Sequence, residues 1–199
     1  EALGSNDPLL DAEMIIMAFN VFEAIGLKNV SVKINSLGIP SSREIYKNEL
    51  RNYLSDKFDK LSEESKRRFD VNILRIFDSK EDNDIEIMQK APVLLDFIDE
   101  ESLNHFEEVK RCLTDTGIPF EVDSKLVRGL DYYTNTTFEV VSGSVGSQSA
   151  LCGGGRYNLL IEQLGGKPTP GVGFAAGIER LLLACENEGC LKFDKDSID

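Results

Sequence analysis

The sequence predicts an α+β fold in which a sheet is interrupted by an all-helical block and then resumed. Two observations carry this. Strand-period segments lie at residues 30–34 and again from 118 onward, whereas residues 41–116 hold helical stripes with almost no strand signal. Strands and helices that segregate in this way fit one domain with an insertion. The expected divisions are 1–40 for the first part of the core, 41–116 for the helical insertion and 117–199 for the second part.

Each element has its own signal. Residues 7–26 read as an amphipathic helix: Asp7 is a good N-cap, Pro8 suits the first position and Gly26 is a natural stop. Its apolar stripe is expected to be Leu10, Met14, Met17, Val21 and Ile25. Val30, Val32 and Ile34 then alternate with Ser31 and Lys33, the period of a half-buried strand, and Gly38-Ile39-Pro40 breaks it. Ser41 with Glu44 resembles a capping box for a helix striped by Tyr46, Leu50, Tyr53, Leu54 and Leu61. Ser62-Glu63-Glu64-Ser65 opens a short helix. Asp99-Glu100-Glu101 opens another, with Leu103, Phe106, Val109 and Leu113 on one face and Gly117 closing it. Beyond it, Pro119–Val122 and Thr136–Val141 read as strands, and Ser149–Cys152 runs into Gly153-Gly154-Gly155. Arg156 to Leu164 reads as a short helix, and Gly171–Phe174 as a buried strand that opens into an apolar helix from Ile178 to Cys185.

Composition excludes several classes. The 199 residues carry 22 Lys and Arg against 35 Asp and Glu, a formal net charge of −13. Broad, non-specific nucleic-acid binding feeds on cations and is disfavoured, although a local basic contact is not. Lys57, Lys60, Lys66, Arg67, Arg68 and Arg75 fit either a solvated helix face or an RNA contact. No apolar run approaches the ~18 residues of a membrane span, and the start lacks the pattern of a signal peptide. Cys112, Cys152, Cys185 and Cys190 are scattered, with no C-x-x-C pair, so reduced thiols in a cytoplasmic protein are expected and no metal site is assigned. His105, the single histidine, is read as a surface residue. Phosphate-binding loops of the G-x-x-x-x-G-K-[ST] and G-x-G-x-x-G types are absent.

Three segments stand out. Leu126-Val127-Arg128-Gly129-Leu130-Asp131-Tyr132-Tyr133 sets a guanidinium beside a glycine, where it can reach phosphate or carboxylate, and adds two phenols. Gly153-Gly154-Gly155-Arg156-Tyr157 offers bare backbone to a flat ligand, with Arg156 at an expected helix start. Gly171 to Arg180 packs small residues tightly and then presents an arginine, which a mere packing motif does not explain.

These segments resemble the histidyl-tRNA synthetases, which are class II aminoacyl-tRNA synthetases. Leu126 to Tyr133 matches the family's first histidine signature, Gly154-Gly155-Arg156-Tyr157 resembles the second, and Gly171 to Arg180 looks like class II motif 3. Asp11-Ala12-Glu13, Asn35-Ser36-Leu37-Gly38 and Asp78-Ser79-Lys80 extend the likeness along nearly the whole chain. Two departures are local: Asn158-Leu159 replaces the usual Asp-Gly, and Asn135 stands where glycine is common.

The resemblance implies a partial class II antiparallel sheet. It implies ATP-dependent activation of histidine, with Mg²⁺, and transfer to tRNA. Arg128 is the expected catalytic residue, bridging the histidine carboxylate and the α-phosphate. Tyr132, Tyr133, Tyr157, Gly153, Gly154 and Gly155 are expected around the histidine, and Arg180 with Gly177 at the ATP. The insertion would grip the tRNA acceptor stem, and the parent enzyme would be a homodimer. Glu1-Ala2-Leu3-Gly4 looks like the tail of the motif 2 strand, so the chain is expected to be part of a longer enzyme, with Thr136–Val141 and Gly171–Phe174 left at an open sheet edge. A regulatory, non-catalytic synthetase paralogue and an RNA-binding fragment are the alternatives.

Overall fold

The computed structural model describes residues 1–127 and 132–190, with Ser147 and Gln148 described by backbone alone. Its centre is a six-stranded sheet. The strands are β1 (Ala2–Leu3), β2 (Val30–Ser36), β3 (Phe120–Val122), β4 (Thr134–Ser142), β5 (Ala150–Arg156) and β6 (Gly171–Ala176), in the order β1-β6-β5-β4-β2-β3. All pairs are antiparallel except β2 with β3, which run parallel. The α+β class holds, with that one parallel pair added. The expected open edge is corrected: β4 lies inside the sheet between β2 and β5, and β6 pairs with β5 along its length and with β1 at Gly171 and Val172. The outermost strands are instead the very short β1 and β3.

Helix α1 (Pro8–Ile25) starts as expected: the Leu9 amide donates to Asp7 Oδ1 at 2.9 Å, and Gly26 closes the helix at a left-handed φ of 105°. Its buried face differs from expectation. Met14, Ile15, Ala18, Phe19 and Phe22 are buried, whereas Met17, Val21 and Ile25 are 44%, 46% and 38% exposed. The helix is apolar on both flanks, so helical spacing alone admits two stripes.

Helix α2 (Pro40–Ser55) begins at proline, with Ile39 as the residue before it and no side-chain cap. The expected Ser41–Glu44 box does not form, because Pro40 takes the first helical position and draws Ser41 inside the turn. The α3 segment (Glu63–Val71) is capped by Ser62, whose Oγ accepts from the Ser65 amide at 3.2 Å. A further helix, α4 (Asp82–Gln89), and three 3₁₀ turns at 58–60, 73–78 and 94–97 complete the block. In α5 (Glu100–Asp115), Asp99 accepts from the Ser102 amide at 2.9 Å. Phe106, Val109 and Leu113 are buried there, whereas Leu103 faces solvent. Two short helices follow, α6 (Leu160–Gln163) and α7 (Ile178–Glu188). The expected helix from Arg156 to Leu164 is thereby corrected, since Arg156 ends β5 and only Leu160–Gln163 is helical.

Two apolar clusters organise the chain. The first lies under the sheet, where α1 and α5 bring Ile15, Phe19, Phe22, Val109 and Leu113 against Val32, Ile34, Phe138 and Val140. The second sits within the helical block around Tyr46, Leu50, Leu54, Ile73, Ile76 and Leu94, and extends to Tyr133 and Tyr157. Each such aliphatic or aromatic side chain contributes about 1.5–3 kcal/mol when fully buried. Because the second cluster ends on two tyrosines at the sheet, it also fixes one wall of the site.

Candidate active site

Where the helical cluster meets β5 and β6, Glu1, Tyr132, Tyr133, Tyr157, Leu160 and Gly173 line a cavity of about 300 Å³, completed by Phe174 and Ala175. The strands explain why it exists. Successive residues of a strand face opposite sides, so Gly153 and Gly155 lie on the same face as Gly173 and Ala175, their cross-strand partners. A Cβ on Gly155 would stand 2.5 Å from the Thr136 carbonyl and 3.0 Å from the Tyr133 ring. A Cβ on Gly173 would strike the Glu1 carboxylate, and one on Gly171 the Tyr157 ring. Glycine at these positions keeps the floor open. Gly154 does other work: it pairs with Phe138 and Phe174, whose rings meet across it at 6.3 Å on the core side.

The walls are aromatic. Tyr132 packs on Tyr133 at 4.6 Å between centroids and meets Tyr157 edge-on at 6.2 Å. Tyr133 and Tyr157 are buried. The Tyr157 hydroxyl donates to Glu1 Oε2, and with Tyr132 and Tyr133 one carboxylate and three phenols line the same cavity. Arg43 of α2 donates to the Tyr133 carbonyl and links the helical block to this wall.

The other residues expected from sequence fall elsewhere. Arg128, with Gly129, Leu130 and Asp131, lies outside the described residues. Gly177 and Arg180 follow the end of β6 and do not line the cavity; Arg180 donates to the Ala150 carbonyl at 3.0 Å and is exposed. Arg156 is fully buried, so its expected place at a helix start facing a ligand is corrected: it is tied up inside the protein by Asp11. His105 is corrected too. Its side chain is 11% exposed, and its Nε2 sits 2.7 Å from Asp11 Oδ2. Glu1 was missed as a site residue; its only sequence signal was its place at the end of an expected strand, four residues before Ser5.

The basic residues of the helical block are mostly spent on neighbours. Lys66 pairs with Glu63 at 2.8 Å, Arg68 with Glu64 at 3.2 Å and Arg75 with Asp78 at 3.8 Å. Lys57 lies 3.9 Å over the Tyr53 ring. A shallow groove of about 240 Å³ joins Lys57, Lys60 and Lys90 with Tyr53, Asn83 and Glu86. Among the described residues, no group of three carboxylate, thiol or imidazole side chains stands close enough to hold a metal ion. No helix among them is long and apolar enough to cross a membrane.

The crystal structure of apo Staphylococcus aureus histidyl-tRNA synthetase superposes with a TM-score of 0.74 at 38% identity, over 97% of this chain and 47% of that one. The sheet with its helical block and aromatic cavity is thus the fold of an aminoacyl-tRNA synthetase. The family described as histidyl-tRNA synthetase matches residues 1–181, and the chain belongs to it. Histidine–tRNA ligase of Geobacillus thermodenitrificans is 49% identical over 95% of this chain and 45% of its own length. That of Streptococcus pyogenes serotype M3 is 47% identical over 95% and 44%. The chain therefore spans less than half the length of these relatives.

Proposed function

We propose that this chain supplies the amino-acid pocket and part of the ATP site of a histidine–tRNA ligase, which joins histidine to its tRNA through histidyl-adenylate. The cavity carries the reading. An imidazole ring is flat and presents one N–H donor and one acceptor nitrogen. The Glu1 carboxylate can take the N–H, and a phenol hydroxyl of Tyr132 or Tyr133 can serve the other nitrogen, with the rings closing the sides. A site built on such hydrogen bonds rejects apolar isosteres, whose entry would leave buried polar groups unpaired.

In the reaction, the histidine carboxylate attacks the α-phosphate of ATP, the bond to pyrophosphate breaks, and charge builds on the phosphoryl oxygens. On this reading Arg128 stabilises that charge while Arg180 and Gly177 serve the nucleotide. Gly153 and Gly155 let the adenylate lie against backbone. The insertion, residues 41–116, receives the tRNA acceptor stem, and the groove of Lys57, Lys60 and Lys90 supports that role. A homodimeric, cytoplasmic parent enzyme belongs to the same proposal. The regulatory paralogue is less favoured: the relatives near half identity bear the ligase name, whereas a structure titled as an ATP phosphoribosyltransferase regulatory subunit/histidyl-tRNA synthetase from Bacillus halodurans shares 20% identity and so only the fold.

Calorimetric titration tests the pocket. L-Histidine is expected to bind and L-phenylalanine not, and Glu1→Gln and Tyr157→Phe are expected to weaken histidine. Equal binding of both amino acids would overturn the reading.

A further inference from the structure

The polar walls of the cavity, Glu1 and Tyr157, lie 156 positions apart in sequence, and one buried side chain holds both segments. Arg156 precedes Tyr157 directly. Its Nη1 donates to the Ser5 carbonyl at 2.9 Å, and its Nη2 to the Asp7 carbonyl at 3.1 Å. Both carbonyls belong to the short segment that carries Glu1 and β1 into α1. Its Nε donates to Asp11 Oδ1 at 2.9 Å, and Nη2 donates to the same oxygen. Asp11, itself without exposure, uses Oδ2 to meet His105 of α5. Asn158, on the other side of Tyr157, accepts from Arg156 at 3.2 Å and donates to Asn6 at 3.0 Å. Every arm of the guanidinium thus joins the end of β5 to the segment of residues 5–11.

We infer that Arg156, seated by Asp11, is a positioning residue that sets the spacing between Glu1 and Tyr157 and thereby the ring the pocket accepts. Resting on the histidine reading above, the inference gives a role to a fully buried charge. Arg156 has no exposed surface and does not line the cavity. It acts through its neighbours: Tyr157 is the next residue in the chain, and the Ser5 carbonyl it holds lies four positions after Glu1. The planar fork satisfies carbonyls and carboxylate at fixed angles, which a lysine ammonium cannot reproduce. Small losses of register at a recognition site are costly, because binding groups must meet the ligand together.

The test separates positioning from bulk stability. Tyrosine labelled with ¹³C at the ε positions gives signals from five residues, Tyr46, Tyr53, Tyr132, Tyr133 and Tyr157. Tyr157→Phe assigns the relevant one. Arg156→Lys is expected to shift the Tyr157 signal, leave Tyr46 and Tyr53 in place and weaken histidine binding on the order of tenfold. Where Arg156→Lys does not fold, His105→Gln loosens Asp11 from outside and is expected to move the same signal less. An unmoved Tyr157 signal in the folded variant overturns the inference, as does a shift shared by Tyr46 and Tyr53, which would make Arg156 merely structural. Failure of the wild-type chain to bind histidine overturns the histidine reading alone, since the Tyr157 signal still decides this one.

Discussion

Asp11 Oδ2 stands 2.7 Å from His105 Nε2, while Oδ1 of the same carboxylate takes the Arg156 guanidinium. One buried acid therefore ties α1 to both α5 and β5. Burial works to raise its pKa, but the hydrogen bonds from His105 and Arg156 outweigh that and hold Asp11 below the ordinary carboxylate value.

Asp11→Asn is expected to cost about 3–5 kcal/mol at neutral pH, because it leaves a buried guanidinium without its counter-charge. The sign of the pH dependence follows from the lowered pKa. Stabilisation by Asp11 is complete above the unfolded carboxylate value of about 4 and is lost as pH falls through the lower folded value. Urea unfolding of both proteins at pH 7 and in the acid range should show the gap between them closing in acid.

Among the described residues, Asp84 is the other buried carboxylate, and no cation is paired with it. It accepts from the Ser62 amide at 2.9 Å and from the hydroxyls of Ser62, Ser65 and Ser79 at 2.6, 2.5 and 2.7 Å. Burial opposes its ionisation, and these donors overcome the opposition and lower its pKa. Asp84→Ala is expected to cost about 3 kcal/mol by stranding several donors. Hydrogen exchange should locate the loss in α3, α4 and the turn at 73–78, with β4 and β5 protected as before.

Gly155→Ala is expected to destabilise by about 1–3 kcal/mol, because a Cβ would crowd the Thr136 carbonyl and the Tyr133 ring. Histidine binding should weaken as Tyr133 is pushed into the cavity. Gly165→Ala serves as a contrast: no atom lies within 4 Å of its Cβ, so only its left-handed φ of 86° is disturbed and the cavity is untouched. Thermal melts and calorimetry on the pair separate the two effects.

For the full-length enzyme, Arg128→Ala is expected to lower kcat on the order of 10²–10³, the cost of removing one donor from a developing oxyanion. A guanidinium on phosphoryl charge acts more in the transition state than in the ground state. Steady-state kinetics in which only the histidine KM rises would contradict that role. The 199-residue chain alone, spanning less than half of its relatives, is expected to show no histidine-dependent ATP–pyrophosphate exchange.

Local signals in the sequence located most elements because caps and strand alternation are local physics. Asp7, Ser62, Asp99 and Gly117 mark the helix ends where they are observed. What stayed hidden depends on partners far along the chain. The buried face of α1 is decided by α5 and the sheet, and Met17, Val21 and Ile25 look as apolar as the residues that won. Gly153 to Gly155 stand beyond the expected strand of 149–152 because glycine disfavours strands, yet tertiary pairing on both sides holds them in β5. The three tyrosines that line the cavity stand in segments that the sequence singles out. Glu1 and the buried pair of Asp11 with Arg156 were not, since 145 residues separate that acid from its base.

The pairing of β1 with β6 sets an order of events during synthesis. Ala2 finds Val172, and Leu3 finds Gly171, so β1 waits while about 170 residues are made. At ribosomal rates of about 5–20 residues per second, that wait is roughly ten to thirty seconds. The helical cluster between them is built from neighbours in sequence, so its core can condense while Glu1 has no pocket to enter. The cavity beside Glu1 can thus close only after β6 has been made.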